Sequence, residues 1–135
     1  MTRVIVIADG GPTLEVLTRT LHGLKGVEIV RHLGGRPPAA LMQRLQPDLV
    51  FIDELTSPDT CLLAVSRSRA AVPGAAIVVR AAHPEAGWLA DALEAGADAV
   101  LPAVADARTL ELVLDEVLTA SRRLPLQTTD PLLAA

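Results

Sequence analysis

The sequence predicts an α/β fold, a doubly wound parallel sheet of five strands flanked by five helices. Two observations carry that expectation. Five short apolar runs alternate with five helix-like stretches, the order that βαβ units produce, and right-handed crossovers then cover both faces of the sheet. The central run, residues 49–52 within PDLVFIDEL, is apolar without interruption, as expected of a strand buried on both sides.

Residues 3–8 (RVIVIA) form the first strand. A helix over 12–24 follows, with Leu14, Leu17, Leu21 and Leu24 on one stripe and Pro12 suited to its first turn. Residues 27–30 (VEIV) are the second strand, and 37–46 a short helix opened by prolines and ended at Pro47 and Asp48. After the third strand (49–52), residues 59–71 form a helix with Leu62, Ala64 and Val65 inside. It stops before the VPG of 72–74. Residues 75–80 (AAIVVR) are the fourth strand, and 84–96 a helix ended by Gly96, a natural C′ residue. A weaker fifth strand covers 97–102. The helix over 107–123 is the most regular, with Leu110, Val113, Leu114, Val117 and Leu118 at 3–4 spacing. Residues 124–135 show no periodicity and contain two prolines, so the reading divides the chain into one domain, 1–123, and a tail or linker, 124–135.

Composition narrows the function. Phe51 and Trp88 are the only aromatic residues, which disfavours base stacking and aromatic ligand cages. Cys61 is the one cysteine and forms no internal disulfide; a helical position as a small apolar residue suits it. No run reaches the roughly 18 apolar residues of a membrane span, and the apolar start is cut short by Asp9, so a cytoplasmic, soluble protein without membrane contact is expected. The net charge is −4. Between Glu85 and Glu116 stand eight acids and one base, Arg108, a segment that would repel nucleic acid, so the domain is not expected to bind DNA directly. An acidic solvated surface without a partner explains the same segment.

Asp53 is the residue that asks for a reason. It follows a fully apolar strand, and a carboxylate there is costly to desolvate unless it is exposed in a crevice, paired or bound to metal. In a doubly wound sheet, function gathers at the carboxyl ends of the strands. There stand Ala8 and Asp9 after the first strand, Asp53 after the third, Arg80 to Ala82 after the fourth, and Pro102 and Ala103 after the fifth. Asp9 and Asp53 would converge as a hard-oxygen pair of the kind Mg²⁺ occupies. Capping of helix N-termini by both acids accounts for them equally.

Three segments, RVIVIADGGPTLEVL, QPDLVFIDEL and ALEAGADAVL, together resemble the receiver (CheY-like) domain of two-component response regulators, over residues 3 to about 121. The resemblance implies a flavodoxin-like sheet of order 2-1-3-4-5, with Asp53 in the phosphoacceptor's place. It implies Mg²⁺ held by Asp9, Asp53 and the backbone carbonyl of Leu55. The family's other working groups are missing. The first of its two acids after strand one is Ala8. The hydroxyl residue that ends strand four is replaced by Arg80 or Ala81, the lysine of strand five by Ala103, and the aromatic switch residue by Val100. The proline after the acceptor falls one position late, at Pro58.

These departures make a degenerate, atypical receiver the leading expectation. Metal binding would be weak, phosphorylation weak or absent, and signalling would run through protein contacts, with no enzymatic activity. Arg80 could face solvent, lend a cation to a phosphoryl group, or pair with Asp53 or Asp9 and lock the crevice. Expected partners are a histidine kinase or an output domain, transcriptional control being one output, and a second copy joined through the 84–121 face, where Trp88 would be a hot spot if exposed. An ordinary phosphorylated receiver is the alternative. A small-molecule-binding flavodoxin-like domain is the second, although ADGG lacks a phosphate-loop pattern. His22, His32 and His83 fall on helix or loop positions and are expected at the surface.

Overall fold

The computed structural model describes all residues except 10, 11, 54–56, 83, 84, 103–105 and 135, and leaves out the side chains of 12–14 and 121–134. Leu55 and Ala103, two of the predicted site positions, lie outside the described residues, as does His83. The elements are β1 (Thr2–Ile7), α1 (Pro12–His22), β2 (Val27–Leu33), α2 (Ala39–Leu45), β3 (Leu49–Asp53), α3 (Pro58–Ala71), β4 (Ala76–Ala81), α4 (Ala86–Ala95), β5 (Ala99–Pro102) and α5 (Ala107–Ala134). All neighbouring strands are parallel, in the order β2-β1-β3-β4-β5. The expected doubly wound fold and its strand order are what the chain adopts.

The sheet separates two apolar layers. On one side Ile5, Ile7, Val50, Ile52, Ile77 and Val79 pack with Met42 of α2, Cys61, Ala64 and Val65 of α3, and Ala92 of α4. On the other, Val4, Val6, Leu49, Phe51 and Val78 pack with Leu17 and Leu21 of α1 and Leu110, Leu114 and Val117 of α5. Successive residues of one strand thus feed opposite layers, which is why the central strands read as continuous apolar runs. Burial of a Leu, Ile or Val side chain contributes about 1.5–3 kcal/mol, so the central strands β1, β3 and β4 dominate the stability.

Most boundaries differ from the sequence reading by one or two residues, and two differ by more. β2 is longer than 27–30 because its backbone pairing with β1 continues from Arg31 to Leu33, beyond a register slip opposite Val4 and Ile5. As an edge strand it tolerates Arg31 and His32 in contact with water. α5 does not stop near 123 but continues as helix to Ala134, through the segment expected to lack regular structure. Among the described residues no helix is long and apolar enough to cross a membrane.

Candidate functional site

β3 and β4 bring Asp53 and Arg80 together. The strands pair in register from Leu49 opposite Ala76 to Asp53 opposite Arg80. By strand alternation the rows Leu49–Phe51–Asp53 and Ala76–Val78–Arg80 lie side by side, and each ends in its charged residue. Residues opposite one another in a parallel pair share a face, so the apolar ladder that builds the core delivers a carboxylate beside a guanidinium. Arg80 Nε donates to Asp53 Oδ1 at 2.6 Å. Both residues are buried, Asp53 3% and Arg80 8% exposed.

This geometry decides among the positions open to Arg80. It does not face solvent; it pairs with Asp53. The physical reason is the desolvation of both groups at the end of a buried ladder. A short, charge-assisted hydrogen bond offsets that cost, and either group left alone there would be strongly unfavourable.

The remaining predicted positions surround the pair. Ala8 extends β1 by one bond, its N–H donating to the Leu33 carbonyl at 3.0 Å, and it packs half-buried on the layer beneath α1 and α5. Asp9 follows, exposed, two residues beyond Ile7, which pairs with Ile52 just before Asp53. Ala81 ends β4 opposite Pro102, half-buried, and Val100 lies opposite Val79 in β5, packed against the layer beneath α3 and α4. Neither Arg80 nor Ala81 carries a hydroxyl, and Val100 carries no ring.

Beside this site, α3 begins at Pro58, with Ser57 as its N-cap accepting a hydrogen bond from the Thr60 N–H at 3.1 Å. Trp88 of α4 is half-buried against the core, and its indole N–H donates to the Pro58 carbonyl at 3.3 Å. The ring therefore ties α4 to the start of α3 and is not a projecting hot spot. Among the described residues no group of three or more His, Cys, Asp or Glu side chains is placed to hold a metal ion.

No family model matches the chain, and no curated protein matches it. Solved structures do match, with the following as examples. A CheY-like response regulator receiver domain from Methanospirillum hungatei is 18% identical with a TM-score of 0.77, covering 91% of this chain and 98% of that one. The Vibrio cholerae chemotaxis protein CheY4 is 20% identical with a TM-score of 0.74, covering 87% and 98%. The receiver domain of a modulated diguanylate cyclase from Desulfovibrio desulfuricans is 18% identical with a TM-score of 0.77, covering 90% and 97%. At these identities the likeness is one of fold. The chain has the fold of CheY-like receiver domains over nearly the whole length of those domains.

Proposed function

We propose that this receiver-fold chain is an atypical response-regulator module whose acceptor position is closed by an internal ion pair, and that it signals through protein contacts in place of phosphorylation. The observation that carries this reading is the buried 2.6 Å bond from Arg80 to Asp53. Phosphoryl transfer to a carboxylate needs a free nucleophilic oxygen and cations arranged on the equatorial oxygens of the phosphoryl group. Here one oxygen of Asp53 is already engaged by a guanidinium.

The donor set also fits Mg²⁺ poorly. A hard cation that dehydrates reluctantly needs concentrated negative charge. Ala8 supplies none, and Arg80 places positive charge against Asp53 where the metal would sit. With Asp9, Asp53 and the Leu55 carbonyl as its protein ligands, Mg²⁺ binds weakly in this reading, and no step is assigned to it.

A second reading has one observation in its favour. Arg80 stands beside the acceptor, where a guanidinium could swing from Asp53 to a phosphoryl group once one is attached. The chain would then be a conventional receiver with an arginine in place of the family's lysine. Incubation with acetyl phosphate or phosphoramidate and Mg²⁺, followed by mass spectrometry, separates the two. No adduct on Asp53 is expected; a stable phosphoryl group there, with an accompanying change in oligomeric state, would establish the second reading.

The neighbouring structures include the receiver domain of a modulated diguanylate cyclase and a response regulator described for DNA interaction. By analogy we assign residues 1–123 to the signalling domain and 124–135 to a connection toward an output domain or partner. The acid-rich 84–121 face is the contact surface in this assignment, for an output domain, a regulator or a second copy.

A further inference from the structure

The side of the molecule formed by α1 and the edge strand β2 holds a cleft, with β1 between it and the strand that carries Asp53. Glu15, Thr18, Arg19 and His22 of α1 and His32 of β2 line it, a shallow depression of about 510 Å³ open to solvent.

His32 reaches this cleft because of a bulge. Val27 and Ile29 pack in the layer beneath α1, whereas Val30 and Leu33 pack in the layer beneath α2. The register of β2 on β1 slips between Ile29 and Arg31, which inverts the alternation, and His32 then pairs with Val6 on the α1 side. Unbroken alternation would send His32 to the other face. Edge-strand bulges re-aim side chains in this way, often beside functional sites. Neighbouring Glu28 and Arg31 fall in the row with Val30 and Leu33 and face away from the cleft.

Arg19, His22 and His32 are all exposed, and none of them forms an ion pair among the described residues. Beneath them, the Thr18 hydroxyl is buried without a hydrogen-bond partner. Thr20, on the same helix, shows the ordinary outlet, donating to the Val16 carbonyl at 2.9 Å. A guanidinium and two imidazoles are thus exposed around one cleft.

We propose that this cleft binds a small oxyanion of the phosphate class. Arg19 supplies a permanent guanidinium, and His22 and His32 supply imidazole N–H donors. Glu15, the carboxylate among the lining residues, accepts from a protonated ligand oxygen and so favours a monoanion or a hydroxyl-bearing ester over a fully ionised dianion.

The test is a titration of the full chain with inorganic phosphate, without Mg²⁺, followed by amide and imidazole NMR. Saturable shifts are expected over residues 15–22 and 31–33. Arg19→Gln and His32→Gln should each weaken binding about fivefold or more, and Arg36→Gln, outside the cleft, should leave it unchanged. Asp53 and Arg80 resonances should stay still, so the result is independent of the locked acceptor. Shifts that never saturate, or that ignore these variants, mean an adventitious ion only and overturn the proposal. Saturable binding of Zn²⁺ through His22 and His32 with no response to phosphate overturns it in favour of a metal site.

Discussion

Arginines serve the two ends of this sheet in opposite ways. At the amino end, Arg69 of α3 donates to the carbonyls of Gly96 (2.7 and 3.1 Å), Pro73 (2.9 Å) and Ala75 (2.8 Å). It also meets Asp98 Oδ2 at 2.8 Å, and that oxygen accepts from the Ile77 N–H at 2.7 Å. Arg3 repeats the arrangement on the other half of the sheet, donating to the Leu45 carbonyl, while Asp48 Oδ2 accepts from the Arg3 N–H at 2.8 Å. These guanidiniums mostly satisfy neutral backbone acceptors between elements, and the paired aspartates extend strand pairing. At the carboxyl end, Arg80 meets the carboxylate of Asp53 in the core. One residue type therefore closes loops at one end and, in our reading, silences a reactive group at the other. The difference lies in what the strand ends offer: backbone carbonyls in the first case, a desolvated acid in the second.

The largest effect should come from breaking the buried pair. Arg80→Ala leaves Asp53 without that partner in the core and should destabilise by about 3 kcal/mol. Asp53→Asn leaves the guanidinium short of a charged acceptor and should cost about 1–3 kcal/mol. In urea melts the double variant should lose less than the sum. Additivity within about 0.5 kcal/mol would mean that the two residues do not act as a unit.

At the opposite end, Gly96→Ala should cost about 1–3 kcal/mol. Gly96 has φ +126°, and an added Cβ would meet the Cβ and Cγ of Arg69 at 2.8 Å. Strain there should leave the acceptor site intact, with Asp53 and Arg80 resonances unmoved. A shift at those residues would show that the two ends of the sheet are coupled.

The smallest effect belongs to Asp106, just before α5. The backbone N–H of Thr109, donating to Oδ1 at 2.8 Å, is the main cause holding its carboxyl below the usual value of 3.8, and the Thr109 side chain adds to it. A lowered folded-state pKa means that its stabilising contribution is complete above the ordinary value and is lost as the pH falls through the lowered one. The melting temperatures of the wild type and Asp106→Ala should therefore draw together on acidification below 3.8. A gap unaffected by pH would show that the carboxylate charge is not what the Thr109 N–H recognises.

Much of this was legible in the chain. Unbroken apolar runs such as residues 49–52 identify strands buried on both faces, and stripes such as Leu110, Leu114 and Val117 identify the helix that covers them, because burial acts on local pattern. The odd position of Asp53 was legible for the same reason: a carboxylate at the end of such a run is costly wherever it points. Its partner was legible only as one of several positions open to Arg80. Asp53 and Arg80 are 27 positions apart, and only the register of β3 on β4 makes them neighbours. Likewise His22 and His32 read as unrelated surface residues until a bulge in β2, invisible in the local sequence, inverts the alternation and turns one toward the other's helix. Periodicity and burial are properties of single segments and can be read from them. Register, by contrast, is settled between segments, by the joint packing of both layers, and so the tertiary structure alone decided which charges meet.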